Sequence, residues 1–373
     1  MSATITSNHL ELKVVKNIQR FGAMSFAKYM RSALYDPQYG YYQNSDPTFG
    51  ANGDFITAPM LGNLFAKTLA TQIHQILLEC EKPSIVEIGA GNGQLAYDLL
   101  IALEASGAPL FEYQIFETSP VLITLQKNKL KQFPQVKWLQ KYQTNNKIQG
   151  VIIANEVADA LPTHRFTYKD SELYSYNVGI NSQQKLCYVM GKLPEKIKLD
   201  LYNCIKPFDL PNNYISEYCA LLKPWLAMAT SKLLKGTMFV FDYGFPRNEF
   251  YHPQRSEGTL MCHYKHSYHD NPFINIGHQD ITTHIDFTSL LEGIDSTDME
   301  FAGYTSLAGF LTSLNIDRHI CQNETDIRKL STLQHELFTL ISPTEMGELF
   351  KVLAINKSLP FELQGFQGCE RAI

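Results

Sequence analysis

Apolar positions in this chain follow two periods, one near two residues and one near 3.6, and the switches between them predict its elements. A short apolar run, Ser84-Ile-Val-Glu-Ile88, meets three glycines at alternate positions, Gly89, Gly91 and Gly93. Leu95, Ala96, Leu99, Leu100 and Leu103 then recur at helical spacing. A buried parallel strand, a tight turn and a helix start are expected, the geometry of a nucleotide-type site at the carboxyl edge of an open α/β sheet. Downstream the pattern predicts a strand over 113–117, a helix over 120–130 and strands over 136–139 and 150–155.

The pattern then breaks. Residues 164–190 alternate polar and apolar, with turn signals at Lys169-Asp170 and Gly179-Ile-Asn-Ser182, which predicts hairpins. A helix is expected over 216–234, a core strand over 236–242 and a polar, histidine-rich loop over 246–280. A helix over 287–291, a strand over 298–302, mostly helix over 309–341 and a last strand over 350–355 complete the reading. The fold class expected is α/β: a Rossmann-like sheet of roughly seven strands running from residue 84 to the end. Residues 1–80 are expected as a helical approach segment and 81–373 as the core. Inserts at about 163–215, 246–280 and 306–345 are expected to form a lid or substrate lobe.

Composition narrows the class. At 373 residues, 45% hydrophobic and 18% charged, the chain can bury a full core and carry a second lobe. The net charge of −5 without a basic block argues against a nucleic-acid binder, and the apolar runs fall short of a bilayer span. Residues 1–10 hold neither Lys nor Arg nor an apolar stretch, so no signal or transit peptide is expected, and a bacterial cytoplasm is. The seven cysteines are scattered, as reduced thiols would be.

The glycine loop carries candidate chemistry. A dinucleotide fingerprint needs its third glycine at position 94, which is Gln94, and no Lys-Ser or Lys-Thr pair follows to cradle phosphates. The loop lacks a basic residue and an acid, Glu87, precedes it, which suits a ligand without phosphate but with positive charge. S-adenosyl-L-methionine (SAM) is such a ligand. A second strand also ends in an acid, Glu117, placed to accept from ribose hydroxyls. Together these read as the cofactor half of a class I methyltransferase. The competing reading is a doubly wound domain whose glycines only ease helix–strand packing.

A second constellation, Asn155-Glu156-Val-Ala-Asp159-Ala-Leu-Pro162, follows the strand over 150–155. In such a fold the end of the fourth strand faces the reacting methyl group, so Glu156 and Asp159 are the catalytic candidates and Asn155 a cofactor contact. If the nucleophile is an arginine nitrogen, two carboxylates can hold the guanidinium's other nitrogens and accept its proton. The structural alternative is that Asp159 caps the next turn and Pro162 ends it. Asp242, Tyr243 and His266 are expected along a substrate cleft. Cys262, His263, His266 and His269 invite a metal reading, but their polar loop context offers no closed ligand shell, and no metal is expected.

Several further motifs stand in one order: Leu34-Tyr-Asp-Pro37 with Gly40-Tyr-Tyr42, Gly53-Asp-Phe-Ile-Thr-Ala-Pro59, the glycine loop, Asn155-Glu156 with Asp159-Ala-Leu-Pro162, and Asp242-Tyr-Gly244. Gly258-Thr-Leu260 with Tyr264 and His266, Asp280-Ile-Thr282 with His284-Ile-Asp-Phe287, and Met346-Gly-Glu348 with Phe350-Lys351 continue it. Over nearly its whole length the chain resembles the MidA-like SAM-dependent methyltransferases. The resemblance implies SAM binding by the Gly89–Gly93 loop and Glu117, with Asp54, Thr57 and Pro59 folding over the cofactor. It also implies ω-N methylation of arginine on a protein; a mitochondrial member symmetrically dimethylates a subunit of NADH:ubiquinone oxidoreductase. Four positions depart from the family pattern: Val157-Ala158 replace two aromatics, Met60 an acid and Ser306 a glutamine. A small-molecule methyltransferase, and an assembly factor that binds a client and retains SAM structurally, stand as alternatives. An amino-group DNA enzyme is disfavoured, because no Asn/Asp-Pro-Pro-Tyr pattern is present.

Overall fold

The computed structural model describes residues 9–43, 57–139, 141–142, 147–295, 297–320 and 326–373. Its central sheet carries β1 (Pro83–Ile88), β2 (Glu112–Phe116), β3 (Val136–Leu139), β4 (Ile148–Asn155), β5 (Leu233–Phe245), β6 (Glu300–Ser306) and β7 (Phe350–Lys357). They lie in the order β6-β7-β5-β4-β1-β2-β3, with Ile285–Asp286 pairing the end of β5 as an eighth strand. β3, β2, β1, β4 and β5 pair in parallel, and β7 runs antiparallel to both β5 and β6. The strand order reverses between β1 and β4, so the crevice past their carboxyl ends is the place for a ligand. Ile88 is level with Phe116 on one side and Ala154 on the other, and Asn155 with Phe241, so these four strands end at one height.

Both faces of the sheet are covered, which is why its strands read as continuous apolar runs. Ile85, Ile115, Val151, Ile153, Phe239 and Phe241 face the helices Leu64–Leu77, Gln94–Ala105 and Leu307–Ser313. The alternate residues Val86, Ile88, Ile152, Ala154, Met238 and Val240 face Leu222–Thr230 and Phe287–Leu291. The period of two along each strand delivers one apolar set to each layer.

A second lobe is built on an antiparallel sheet of Met24–Ser25, His164–Lys169, Glu172–Ile180, Leu186–Gly191 and Tyr214–Tyr218. The helices His9–Phe21 and Phe26–Tyr35 pack with Val178 and Leu186, and the helix Glu195–Ile205 packs with Phe166, Leu173 and Tyr214. A three-stranded sheet of Met261–Tyr264, Ser267–His269 and Asp280–Thr282 stands beside it.

Four expectations are corrected. The helix Leu64–Leu77, placed by sequence in the approach segment, is core: Leu64, Phe65, Leu69, Ile73 and Ile76 are fully buried under the sheet. Residues 306–345 were expected in the lid, yet Phe310 packs edge-on against Phe239, Phe241 and Phe366 beneath the sheet. An apolar helix face finds the uncovered sheet face, where it removes the most surface from water. Residues 214–218 are strand, not the start of a helix, because they complete the lobe sheet beside His164–Tyr168. The polar stretch 246–280 is not all loop; it forms the short hairpin 261–269, which also pairs with 280–282.

Candidate active site

The turn after β1 is forced into shape by its glycines. Gly89, Gly91 and Gly93 have φ of 68°, 52° and 78°, the left-handed region that side chains disfavour. A Cβ on Gly89 would stand 3.1 Å from a methyl of Val157, and one on Gly93 3.4 Å from Cγ of Gln126. Gly89 donates to the carbonyl of Phe116 at 2.9 Å, which ties the turn to the end of β2.

Past these strand ends lies a cleft of about 260 Å³. Its floor and cofactor side are lined by Glu87, Gly89, Gly91, Glu117 and Asn155, with Thr57, Pro59 and Met60 above them. Glu156, Val157, Asp159 and Tyr243 line the next wall. Tyr35, Tyr42, His263, Asp280 and Thr282 close the side toward the second lobe. No lysine or arginine lines the cleft among the described residues.

The carboxylates differ in what holds them. Glu117 Oε1 accepts the backbone N–H groups of Thr118 at 2.7 Å and Ser119 at 2.9 Å. Gln126 Nε2 donates to Glu117 Oε2 at 3.3 Å and to the Gly91 carbonyl at 2.8 Å, while Trp138 Nε1 donates to Gln126 Oε1 at 2.9 Å. One amide thus couples the glycine turn to the acid at the end of β2. Burial pushes the Glu117 carboxyl up, and those hydrogen bonds oppose the push. Glu87 accepts from Tyr113 Oη at 2.8 Å; its burial outweighs that bond and raises it to about 7.

Glu156 has φ 52°, an unusual backbone state for a residue with a side chain. Its N–H donates to the Phe241 carbonyl at 2.9 Å, and Asn155 Nδ2 donates to its Oε1 at 3.1 Å. Burial first, then the charge of Asp242, raises its carboxyl to about 8, with Asn155 opposing. Asp159, 5% exposed, is pushed well up by burial and by the charges of Asp242, Asp280 and Glu156. At about 8, the Glu156 carboxyl keeps its proton at neutral pH.

Three expected residues stand elsewhere. Asp242 is fully buried behind the cleft, not along it. Its Oδ2 accepts the N–H groups of Ala158 at 2.9 Å and Asp159 at 3.2 Å, and its Oδ1 that of Tyr243 at 2.9 Å, so it shapes the catalytic turn from below. His266 sits at the exposed Lys265-His266 turn, outside the lining; the hairpin brings His263 to the cleft instead. Gly93 sits where helix Gln94–Ala105 starts, against Gln126, and does not line the cleft. Asp54 lies outside the described residues. Sequence reasoning missed Tyr35, Tyr42, His263, Asp280 and Thr282 as cleft residues, although Tyr35, Tyr42, Asp280 and Thr282 stand inside quoted motifs. Of the positions that depart from the family pattern, Val157 stands next to Gly89, and Ser306 caps the helix Leu307–Ser313 by accepting from Gly309 N–H at 3.2 Å.

These residues fit SAM. Gly89 and Gly91 leave bare backbone at the floor, Glu117 offers a fixed acceptor, and the acidic walls, without a lysine or arginine among the described residues, suit a cation rather than a phosphate.

Known proteins agree. A profile of an S-adenosyl-L-methionine-dependent methyltransferase family matches residues 64–305. The protein arginine methyltransferase NDUFAF7 of mitochondria is 25% identical in Xenopus laevis (95% of this chain, 85% of that one) and 26% in Danio rerio (93% and 86%). A crystal structure of a Burkholderia thailandensis protein bound to S-adenosyl-homocysteine is 33% identical, covers 97% of this chain and 95% of that one, and superimposes with a TM-score of 0.91. The chain belongs to the MidA-like family of S-adenosyl-L-methionine-dependent methyltransferases, with the class I fold and SAM as its cofactor.

Proposed function

We propose that the protein transfers methyl groups to arginine side chains of a protein acceptor, with Glu156 and Asp159 as the catalytic pair. The observation that carries this reading is the acidic lining of the cleft: five carboxyl groups, of Glu87, Glu117, Glu156, Asp159 and Asp280, line it with no lysine or arginine among the described residues. Such a cleft favours a cation at both ends, and the curated relatives are named protein arginine methyltransferases.

Bound SAM supplies an activated methyl group, and in-line transfer asks chiefly for alignment. A guanidinium is protonated at any working pH, with its lone pair delocalised. Glu156 and Asp159, as carboxylates, hold two of its nitrogens, keep positive charge away from the attacking one, and afterwards take the proton released there. The arriving cation itself favours loss of their protons, since an opposite charge within a few ångströms lowers a carboxyl pKa. Asp242 fixes the turn on which both stand. Glu117, held by Thr118, Ser119 and Gln126, would hold the ribose hydroxyls of SAM, and Thr57 and Pro59 line the same cleft. The family resemblance makes a subunit of NADH:ubiquinone oxidoreductase the first acceptor to test.

Glu156→Gln tests the catalytic assignment. S-adenosyl-homocysteine affinity by calorimetry should stay within a few-fold of wild type while methyl transfer falls by about 100-fold or more. Transfer at the wild-type rate would remove Glu156 from the chemistry.

A further inference from the structure

We infer that Asp280, carried by the three-stranded sheet beside the second lobe and held by Tyr42, is a specificity-determining contact for the acceptor cation in the cleft it shares with Glu156 and Asp159. The inference rests on the arginine reading above and names the group that closes its open side.

Asp280 is 2% exposed yet lines the cleft. Tyr42 Oη donates to its Oδ1 at 3.1 Å, and the Ile281 N–H donates to the same oxygen at 2.9 Å. Both bonds fix the carboxylate at the carboxyl edge of the core sheet although it belongs to another sheet. Its charge reaches the catalytic turn, where it adds to the upward push on Glu156 and Asp159. Beside it the Tyr35 and Tyr42 rings lie with centroids 5.5 Å apart, tilted by 33°, and Tyr35 Oη donates to the Ala160 carbonyl at 2.9 Å. Thr283 N–H donates to the Asp159 carbonyl at 3.0 Å, so the strand bearing Asp280 is tied to the catalytic turn.

A planar, forked cation in this cleft meets carboxyl groups from two elements, the catalytic turn and the 280–282 strand, and the two tyrosines that line it with them. A guanidinium satisfies that set through its five fixed N–H donors and its affinity for aromatic rings. A neutral urea group of the same shape has no charge and only three N–H donors, and its carbonyl oxygen cannot donate to a carboxylate.

The test uses the full-length protein loaded with S-adenosyl-homocysteine and titrated with N-acetyl-arginine amide or its citrulline counterpart, followed by NMR. Wild type should bind the arginine compound and discriminate against citrulline by at least about tenfold, the worth of one charge-assisted hydrogen bond. Asp280→Asn should lose about tenfold in arginine affinity with S-adenosyl-homocysteine affinity unchanged, and Asp280→Glu should recover part of the loss. Unchanged arginine affinity in Asp280→Asn, with wild type still discriminating, overturns the role of Asp280 and leaves the arginine reading standing. A parallel loss of S-adenosyl-homocysteine affinity overturns it too, by assigning Asp280 to the cofactor. Equal binding of both compounds by wild type overturns the arginine reading itself.

Discussion

Glu156 combines a left-handed backbone with a carboxyl raised to about 8, and both follow from its place between the end of β4 and the buried Asp242. Such a conformation costs of order 1–2 kcal/mol and persists where the surroundings over-determine it. Here the Phe241 carbonyl and the Asp242 carboxylate supply the constraint. The raised pKa has a measurable consequence. Folded Glu156 keeps its proton up to about pH 8, whereas an unfolded glutamate loses it near 4.5. Its contribution to stability is therefore full below about 4.5 and is lost as pH rises toward 8. The Tm of ligand-free protein should fall between pH 6 and 8.5, and Glu156→Gln should flatten that slope; an identical slope in the variant would contradict the assignment. Solvent entering the cleft moderates the size of the effect but not its sign.

Gln126 makes a second prediction at this scale. Replacing it by alanine removes the bridge between the Gly91 carbonyl and Glu117 Oε2. S-adenosyl-homocysteine should bind roughly fivefold more weakly, in line with about 1 kcal/mol for the hydrogen bond lost from Glu117, and its Kd by calorimetry is the readout. An unchanged Kd would show that Glu117 needs no such support.

Among the elements, the helix Ile327–Ile341 shows how a wrong expectation became informative. Its amphipathic pattern was legible, but its destination was not, because an apolar stripe says only that something covers it. The structure places it so that Glu336, 3% exposed, accepts the Leu64 N–H at 2.6 Å. It thereby caps the helix Leu64–Leu77 from outside, just after the turn that carries Thr57, Pro59 and Met60 to the cleft. Glu336→Ala should leave that N–H unsatisfied, a loss of about 1–3 kcal/mol, and lower Tm by several degrees in calorimetry. It should also weaken S-adenosyl-homocysteine binding, since the 57–61 turn loses its anchor. A drop in Tm without any change in affinity would confine Glu336 to stability.

Across the whole molecule, the cofactor half was legible and the acceptor half was not, for a physical reason. Strand, glycine turn and Glu117 form within about 30 residues, so local spacing carries their geometry. Tyr35 and Tyr42 reach the same cleft from an N-terminal helix and the 3-10 turn after it, His263 and Asp280 from the separate three-stranded sheet, and nothing local marks their meeting. The reversed parts of Asp242 and His266 have the same origin. A strand-end acid can face the ligand or the turn behind it, and an unrecognised turn at Lys265-His266 exchanges which histidine of the hairpin points inward.

The two halves together define a cofactor crevice facing an acid-lined acceptor side. The most direct test of that account is mass spectrometry of arginine methylation in cells with the gene, without it, and without it but supplied with Glu156→Gln. A specific protein arginine should be methylated in the first and unmodified in the other two. Identical arginine methylation in all three would contradict the account.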